Sequence, residues 1–171
     1  MTANEFTALA EFVGWYDYES YIADATKLIP DGEYGLNLMN GGHRGSDGAF
    51  SESTVFHLID NDFGYTAMNF FNSSEVWVIQ KDMSYLNKDG LYVILVKDST
   101  SLADGETSSL TDVDGNIIPT ICIDGVEFTS QNWKSTKLAD GTPIPEVTDN
   151  SAWAALITGA LCAYDNDWDN V

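Results

Sequence analysis

Between residues 34 and 98 the sequence pattern changes from a helical period to a period of two, carried by short runs rich in branched and aromatic residues, and that change constrains the chain more than any other feature. Side chains that alternate between two faces require extended strands, because a slip of one residue would turn the whole apolar set toward water. The runs TVFHLI (54–59), EVWVIQK (75–81) and LYVILVK (91–97) are rich in branched and aromatic residues and bounded by Asn, Asp and Gly. They are therefore read as antiparallel strands with one buried face. LYVILV is almost continuously apolar, which predicts a central strand covered on both sides.

Helical signals flank this region. Thr2 followed by Glu5 fits a capping box, and Phe6, Leu9, Ala10 and Val13 recur at helical spacing before Gly14. A second short helix is expected over 18–28, with Tyr21, Ile22, Ala25 and Leu28 on one face and Pro30 marking its end. A third is expected over 150–158, capped by Thr148 or Asp149, with Trp153, Leu156 and Ile157 facing the core and Gly159 closing it. The expected class is α+β, mainly antiparallel sheets with two or three helices. Residues 99–116 are polar and rich in turn formers, so they read as a linker, followed by paired strands around Asp124-Gly125. Pro143 and Pro145 exclude helix from the loop LADGTPIPEV.

The chain has 171 residues, 44% hydrophobic and 12% aromatic, enough for a packed core in a single domain. Seven basic residues against 27 acidic ones give a net charge of -20. Such a surface repels phosphate backbones and anionic headgroups, so neither nucleic acid nor membrane is an expected partner. No apolar stretch approaches the ~20 residues of a membrane span. The N-terminal MTANEFTALAEF starts as a helix and has no basic region followed by an apolar core.

Little in the sequence points to catalysis. His43 and His57 stand apart, one in a glycine-rich loop and one in an alternating strand, and no nucleophile elbow, phosphate loop or zinc-binding helix motif occurs. Cys122 sits between Ile121 and Ile123 and reads as a buried free thiol. Asp112, Asp114 and Asn116 alternate as in a calcium loop, but Ile123 stands where the closing Glu is required, so a turn is expected. Asp165, Asp167 and Asp169 alternate too, with no loop to close them before Val171. The expectation is no enzyme and no cofactor; the acidic clusters leave room only for a structural calcium ion.

Three blocks carry a family resemblance: the DVDGN turn, the strand pair ending in Gln131, Asn132 and Trp133, and DGTPIPEVTDNSAW leading into a Trp-bearing helix. Residues 111–167 thereby resemble the opening of the Fibrobacter succinogenes major paralogous domain, a member of the C-type-lectin-like superfold. Residues 2–14, 41–51 and 90–98 resemble that domain's second helix, glycine-rich loop and closing strand, which come later in the family order. The resemblance thus implies one circularly permuted domain over 1–171, with 1–98 as the family's C-terminal part, 99–116 as the joint and 117–171 as its N-terminal part. It implies that the strand near 91–97 lies beside the strand near 120–124, and that an aromatic-rich middle segment is missing. The family usually has a cysteine in its closing strand, where this chain has Leu95, so the resemblance implies that Cys162 has lost its partner; it also implies that the cysteine chemistry of the related formylglycine-generating enzymes, late in the domain, is absent. The calcium-dependent lectin triplets Glu-Pro-Asn and Gln-Pro-Asp do not occur.

The binding candidates are aromatic. Trp15, Tyr16, Tyr18 and Tyr21 crowd one junction, and Tyr65, Phe70, Phe71 and Trp77 follow the glycine-rich loop, where the superfold carries its variable binding face. Trp133 and Trp153 are assigned to the core, and Trp168, between acidic residues, to a contact with a partner. Without the family's middle segment, an aromatic surface is expected near Trp153, Tyr164 and Trp168. A surface-type module with no export signal suits a phage particle, which assembles inside the cell and leaves by lysis. The expected function is a structural or adhesive virion component, with other virion proteins, its own copies, or a bacterial surface glycan or protein as partners. The alternative is a secreted or cell-surface binding domain of a Bacteroidetes bacterium.

Overall fold

The computed structural model describes the chain except residues 1–8, 10, 13, 18–21, 25, 30–31, 33–34, 38–40, 61–63, 74–75, 83–87 and 98. In Trp15–Asp17, Ile22–Asp24, 56–60, Gly64–Ser73 and Val76–Asp82 it describes the backbone alone. The architecture is rich in antiparallel sheet with very little helix. One sheet runs β1 (Trp15–Asp17), β2 (Ile22–Asp24), β7 (Val76–Asp82), β6 (Gly64–Ser73), β5 (Thr54–Asp60) in spatial order. A second runs β8 (Val96–Lys97), β11 (Val126–Thr129), β10 (Ile117–Ile123), β9 (Thr107–Thr111). A small hairpin joins β3 (His43–Arg44) to β4 (Phe50–Ser51).

The runs expected at 54–59 and 75–81 give strands β5 and β7, the latter described from Val76, each paired with β6. The Asp124-Gly125 turn joins β10 to β11, with both residues at positive φ (51° and 77°), the conformation of a tight hairpin turn. Pro119 lies one residue beyond the last pair of that register, Thr120↔Thr129, so its missing N–H falls at the end of the ladder.

Three expectations are corrected. Two or three helices are not seen: among the described residues, helical backbone occurs at Leu9, Glu11 and Phe12 and in α1 (Asn150–Ala154), beside two 3-10 turns at Tyr164–Asn166 and Trp168–Asn170. The helix expected over 18–28 is replaced by β2 and a turn at Thr26–Leu28, because pairing with β7 outweighs local periodicity. Helix α1 is capped by Asp149, whose carboxylate accepts from Ala152 N at 2.8 Å, but it stops at Ala155, leaving Ile157 95% exposed rather than in the core.

Residues 91–97 do not form a covered central strand. Only Val96 and Lys97 join a sheet, at its edge, and Val93 and Leu95 are exposed. The stretch is a strap. Gly90 exchanges backbone hydrogen bonds with Arg44, Tyr92 N donates to Val55 O, Val93 O accepts from Trp133 N, and Leu95 O accepts from Thr129 N. It thus fastens the hairpin, the first sheet and the second sheet in turn. The strand near 91–97 and the strand near 120–124 do share an antiparallel sheet, but β11 lies between them. The stretch 99–116, read as a linker, contains edge strand β9, which pairs with β10 from Ile117↔Thr111 to Ile121↔Thr107.

The DVDGN turn between β9 and β10 closes as expected. Asp112 Oδ1 accepts from the N–H groups of Asp114 and Asn116, and Asp112 Oδ2 accepts from Asn116 Nδ2. Asp114 reaches outward, pairing with Lys137 at 2.7 Å and accepting from Thr136 N–H and the Ser135 and Thr136 hydroxyls. The Lys137 ammonium and these donors hold its carboxyl well below the usual 3.8.

Burial along β10 and β11 sets the stability of the second sheet. Phe128→Ala, at 2% exposure, is expected to cost ~3–5 kcal/mol, while Ile117→Ala, at 72% exposure in the same sheet, stays within ~0.5 kcal/mol in urea unfolding. The Asp114 carboxyl is depressed in the folded state, so its contribution is present above 3.8 and lost as pH falls through that value and below. Asp114→Asn is therefore expected to flatten the acid limb of a stability-versus-pH curve measured by urea unfolding.

Candidate functional site

The glycine-rich loop carries a buried cation, Arg44. Arg44 is 1% exposed, and its guanidinium lies between two rings, 4.9 Å from the centroid of Phe50 and 4.5 Å from that of Trp153. Nε donates to Gly48 O at 3.0 Å, Nη1 to Val147 O at 2.6 Å, and Nη2 to Thr148 O at 2.8 Å and Asn150 Oδ1 at 3.0 Å. Two of these bonds reach the irregular segment leading into α1, one the first residue of α1, and one the loop of Arg44's own hairpin. The glycines make this approach possible. A Cβ on Gly48 would stand 2.4 Å from Asn150 O, and one on Gly90 2.7 Å from the Trp153 ring.

Beside this clamp opens a groove of about 630 Å³ between the strap at 88–93 and the segment 153–171. Trp133, Trp153, Tyr164 and Trp168 all line it. Trp153 Nε1 donates to Lys88 O at 3.2 Å, Phe50 meets the Tyr164 ring edge-on at 5.4 Å, and Trp168 Nε1 donates to Glu146 Oε1 at 2.9 Å. Trp153 is buried at 5% exposure, and of the three residues where an aromatic surface is expected Tyr164 and Trp168 are the more exposed ones at this groove. Trp133, assigned to the core, is half-buried and turns one side to the groove.

Three weak acids lining the groove, Cys162, Tyr92 and Tyr164, are set toward their protonated forms. Burial pushes the Cys162 thiol up against the pull of the Arg44 guanidinium. Tyr92 is pushed up to about 12, first by burial and then by Tyr164 and Cys162, and its hydroxyl donates to Gly41 O at 2.8 Å. His43 Nδ1 lies 2.7 Å from the Ser53 carbonyl, so that nitrogen carries the proton. Cys122 is a buried free thiol, as expected.

Tyr65, Phe70 and Phe71 lie in β6 and Trp77 in β7, at the registers Ile59↔Tyr65, Phe70↔Ile79, Phe71↔Val78 and Asn72↔Trp77. Their side chains, like that of His57 and the residues Tyr18 and Tyr21, lie outside the described residues. Trp15 and Tyr16 fall in strand β1 rather than at a helix junction. Of the sequence candidates, Trp168 is the one placed at the groove; Arg44, Lys88 and Lys134 were not singled out. The lysines carry no motif, and Arg44 showed a signal only in the glycines around it. Among the described residues, no group of three or more His, Cys, Asp or Glu is arranged to hold a metal ion. Nor is any helix long and apolar enough to cross a membrane.

Because Arg44 satisfies backbone carbonyls that have no sheet or helix partner, Arg44→Met is expected to cost about 3–5 kcal/mol in urea unfolding, and Arg44→Lys to restore only part.

No protein-family model matches this chain, and no curated protein or solved structure matches it.

Proposed function

We propose that the chain is a non-enzymatic structural and adhesive module of a phage particle, with a permuted C-type-lectin-like fold, that decorates a capsid or tail and binds a bacterial surface glycan or protein. The observation that carries this reading is the aromatic groove beside the Arg44 clamp. Its volume of about 630 Å³ falls within the ~300–1,000 Å³ of small-ligand sites, and Trp133, Tyr164 and Trp168 offer flat apolar faces at its wall. The chemistry of its walls favours holding over reacting. The Cys162 thiol is kept protonated, Tyr92 is too weak an acid to lose its proton near neutrality, and the Arg44 donors are committed to carbonyls.

The resemblance of residues 111–167 to a bacterial surface domain supports the alternative, a secreted or cell-surface binding domain of a Bacteroidetes bacterium. Neighbouring genes for portal, capsid and tail proteins distinguish the two, and so does mass spectrometry of purified particles. The particle reading expects the intact chain in particles at a fixed stoichiometry; finding it only in the culture supernatant or host envelope would overturn it.

Trp168 is 39% exposed, and residues 165–170 are exposed throughout, so this segment can meet a partner without opening the core. Deleting residues 165–171 is expected to leave thermal unfolding almost unchanged while weakening self-assembly or incorporation into particles, read by sedimentation and particle composition. An unchanged monodisperse monomer before and after the deletion would contradict a role in assembly.

A further inference from the structure

The distribution of charge around the groove is the reverse of that over the chain. Seven basic residues face 27 acidic ones overall, yet the charged side chains lining the groove are Arg44, Lys88 and Lys134 against Asp89 alone. Two of these cations are uncommitted. Among the described residues Lys97 pairs with Glu127 at 3.0 Å and Lys137 with Asp114 at 2.7 Å, whereas no ion pair is formed by Lys88 or Lys134. Lys88 is exposed and Lys134 half-buried, and both line the groove.

A chain with so many carboxylates readily neutralises its lysines, and leaving two unpaired at one concavity raises the local potential against a strongly negative background. Clefts of one sign concentrate ligands of the other. The same walls carry indole and phenol rings, whose faces stack on the apolar C–H face of a sugar ring while edge groups hydrogen-bond. The groove is the size of a small ligand rather than a protein face.

Resting on the adhesive reading above, we infer that the groove binds an acidic saccharide, its ring stacked on Trp133, Tyr164 or Trp168 and its carboxylates held by Lys88 and Lys134. The acidity of the rest of the surface then acts as a filter. It turns away polyanions too large to keep their charge inside the groove, so short uronic-acid segments or chain ends fit best.

The test is titration calorimetry on the full chain with three probes: a trimer of galacturonic acid, the neutral galactose trimer, and tri-glutamate. The acidic trimer is expected to bind at least ~10-fold more tightly than the neutral one and to weaken as salt rises. Lys88→Gln and Lys134→Gln are each expected to lose ~3- to 10-fold for the acidic trimer with no change in thermal unfolding, since neither lysine holds an ion pair. Trp168→Ala weakens both sugars. Equal binding of acidic and neutral trimers, or a double lysine variant that binds normally, would overturn the inference while leaving a neutral-glycan module standing. Tri-glutamate binding as tightly as the acidic sugar would replace the saccharide by an acidic peptide. No binding of any probe would sink the inference and leave the particle role to the composition of purified particles.

Discussion

A buried guanidinium that among the described residues pairs with no carboxylate organises this molecule. Taking Arg44 out of water is costly, and the cost is offset only because its N–H groups meet three carbonyls and an amide oxygen while two rings cover its faces. The exchange runs both ways. Residues 147 to 149 belong to no strand or helix, so the Val147 and Thr148 carbonyls have no ladder partner and accept from Arg44, Thr148 also from Asn166 Nδ2. One side chain thereby joins parts of the chain 103 to 106 residues apart and sets the position of Trp153 at the groove.

The second organising element is the strap at 90–97. It bonds successively to the β3–β4 hairpin, to β5, to the segment at Trp133 and to β11, so the sheets are linked through one irregular stretch of backbone. An apolar run of this kind serves as a connector instead of a ladder strand because its polar groups find partners on different elements. The groove lies between the strap and the segment after α1. Its walls are consequently held by hydrogen bonds from loops, the part of a fold where binding surfaces vary most freely.

Acidity and fold act together at the site. Five described carboxylates are engaged in turns and caps close to their own position: Asp47, Asp112, Asp140, Asp149 and Asp167 each accept from a backbone N–H two to four residues on. Glu127 instead holds Lys97 on the neighbouring strand, and Asp114 holds Lys137 from the turn between β9 and β10. Asp89 lines the groove and Glu146 holds Trp168 at its edge, and among the described residues neither Lys88 nor Lys134 forms an ion pair.

Local chemistry is what the sequence determined. The strands at 54–59 and 75–81, the Asp124-Gly125 hairpin, the Asp112 to Asn116 turn and the Asp149 cap all depend on period, φ preference or a side chain reaching its own backbone, and each formed where its residues stand. Tertiary structure decided what local signals could not encode. The helical spacing at 18–28 yielded to pairing with β7, the apolar run at 91–97 became an edge and a strap, and 107–111 was recruited as a strand because β10 offered an open edge. The site was legible in part: Trp168 and the aromatic surface near Trp153 and Tyr164 were read from the chain, while Arg44, Lys88 and Lys134 came together only through folding. A lysine carries no local pattern announcing that it will lack a partner, because that depends on which of 27 acidic residues the fold brings within reach.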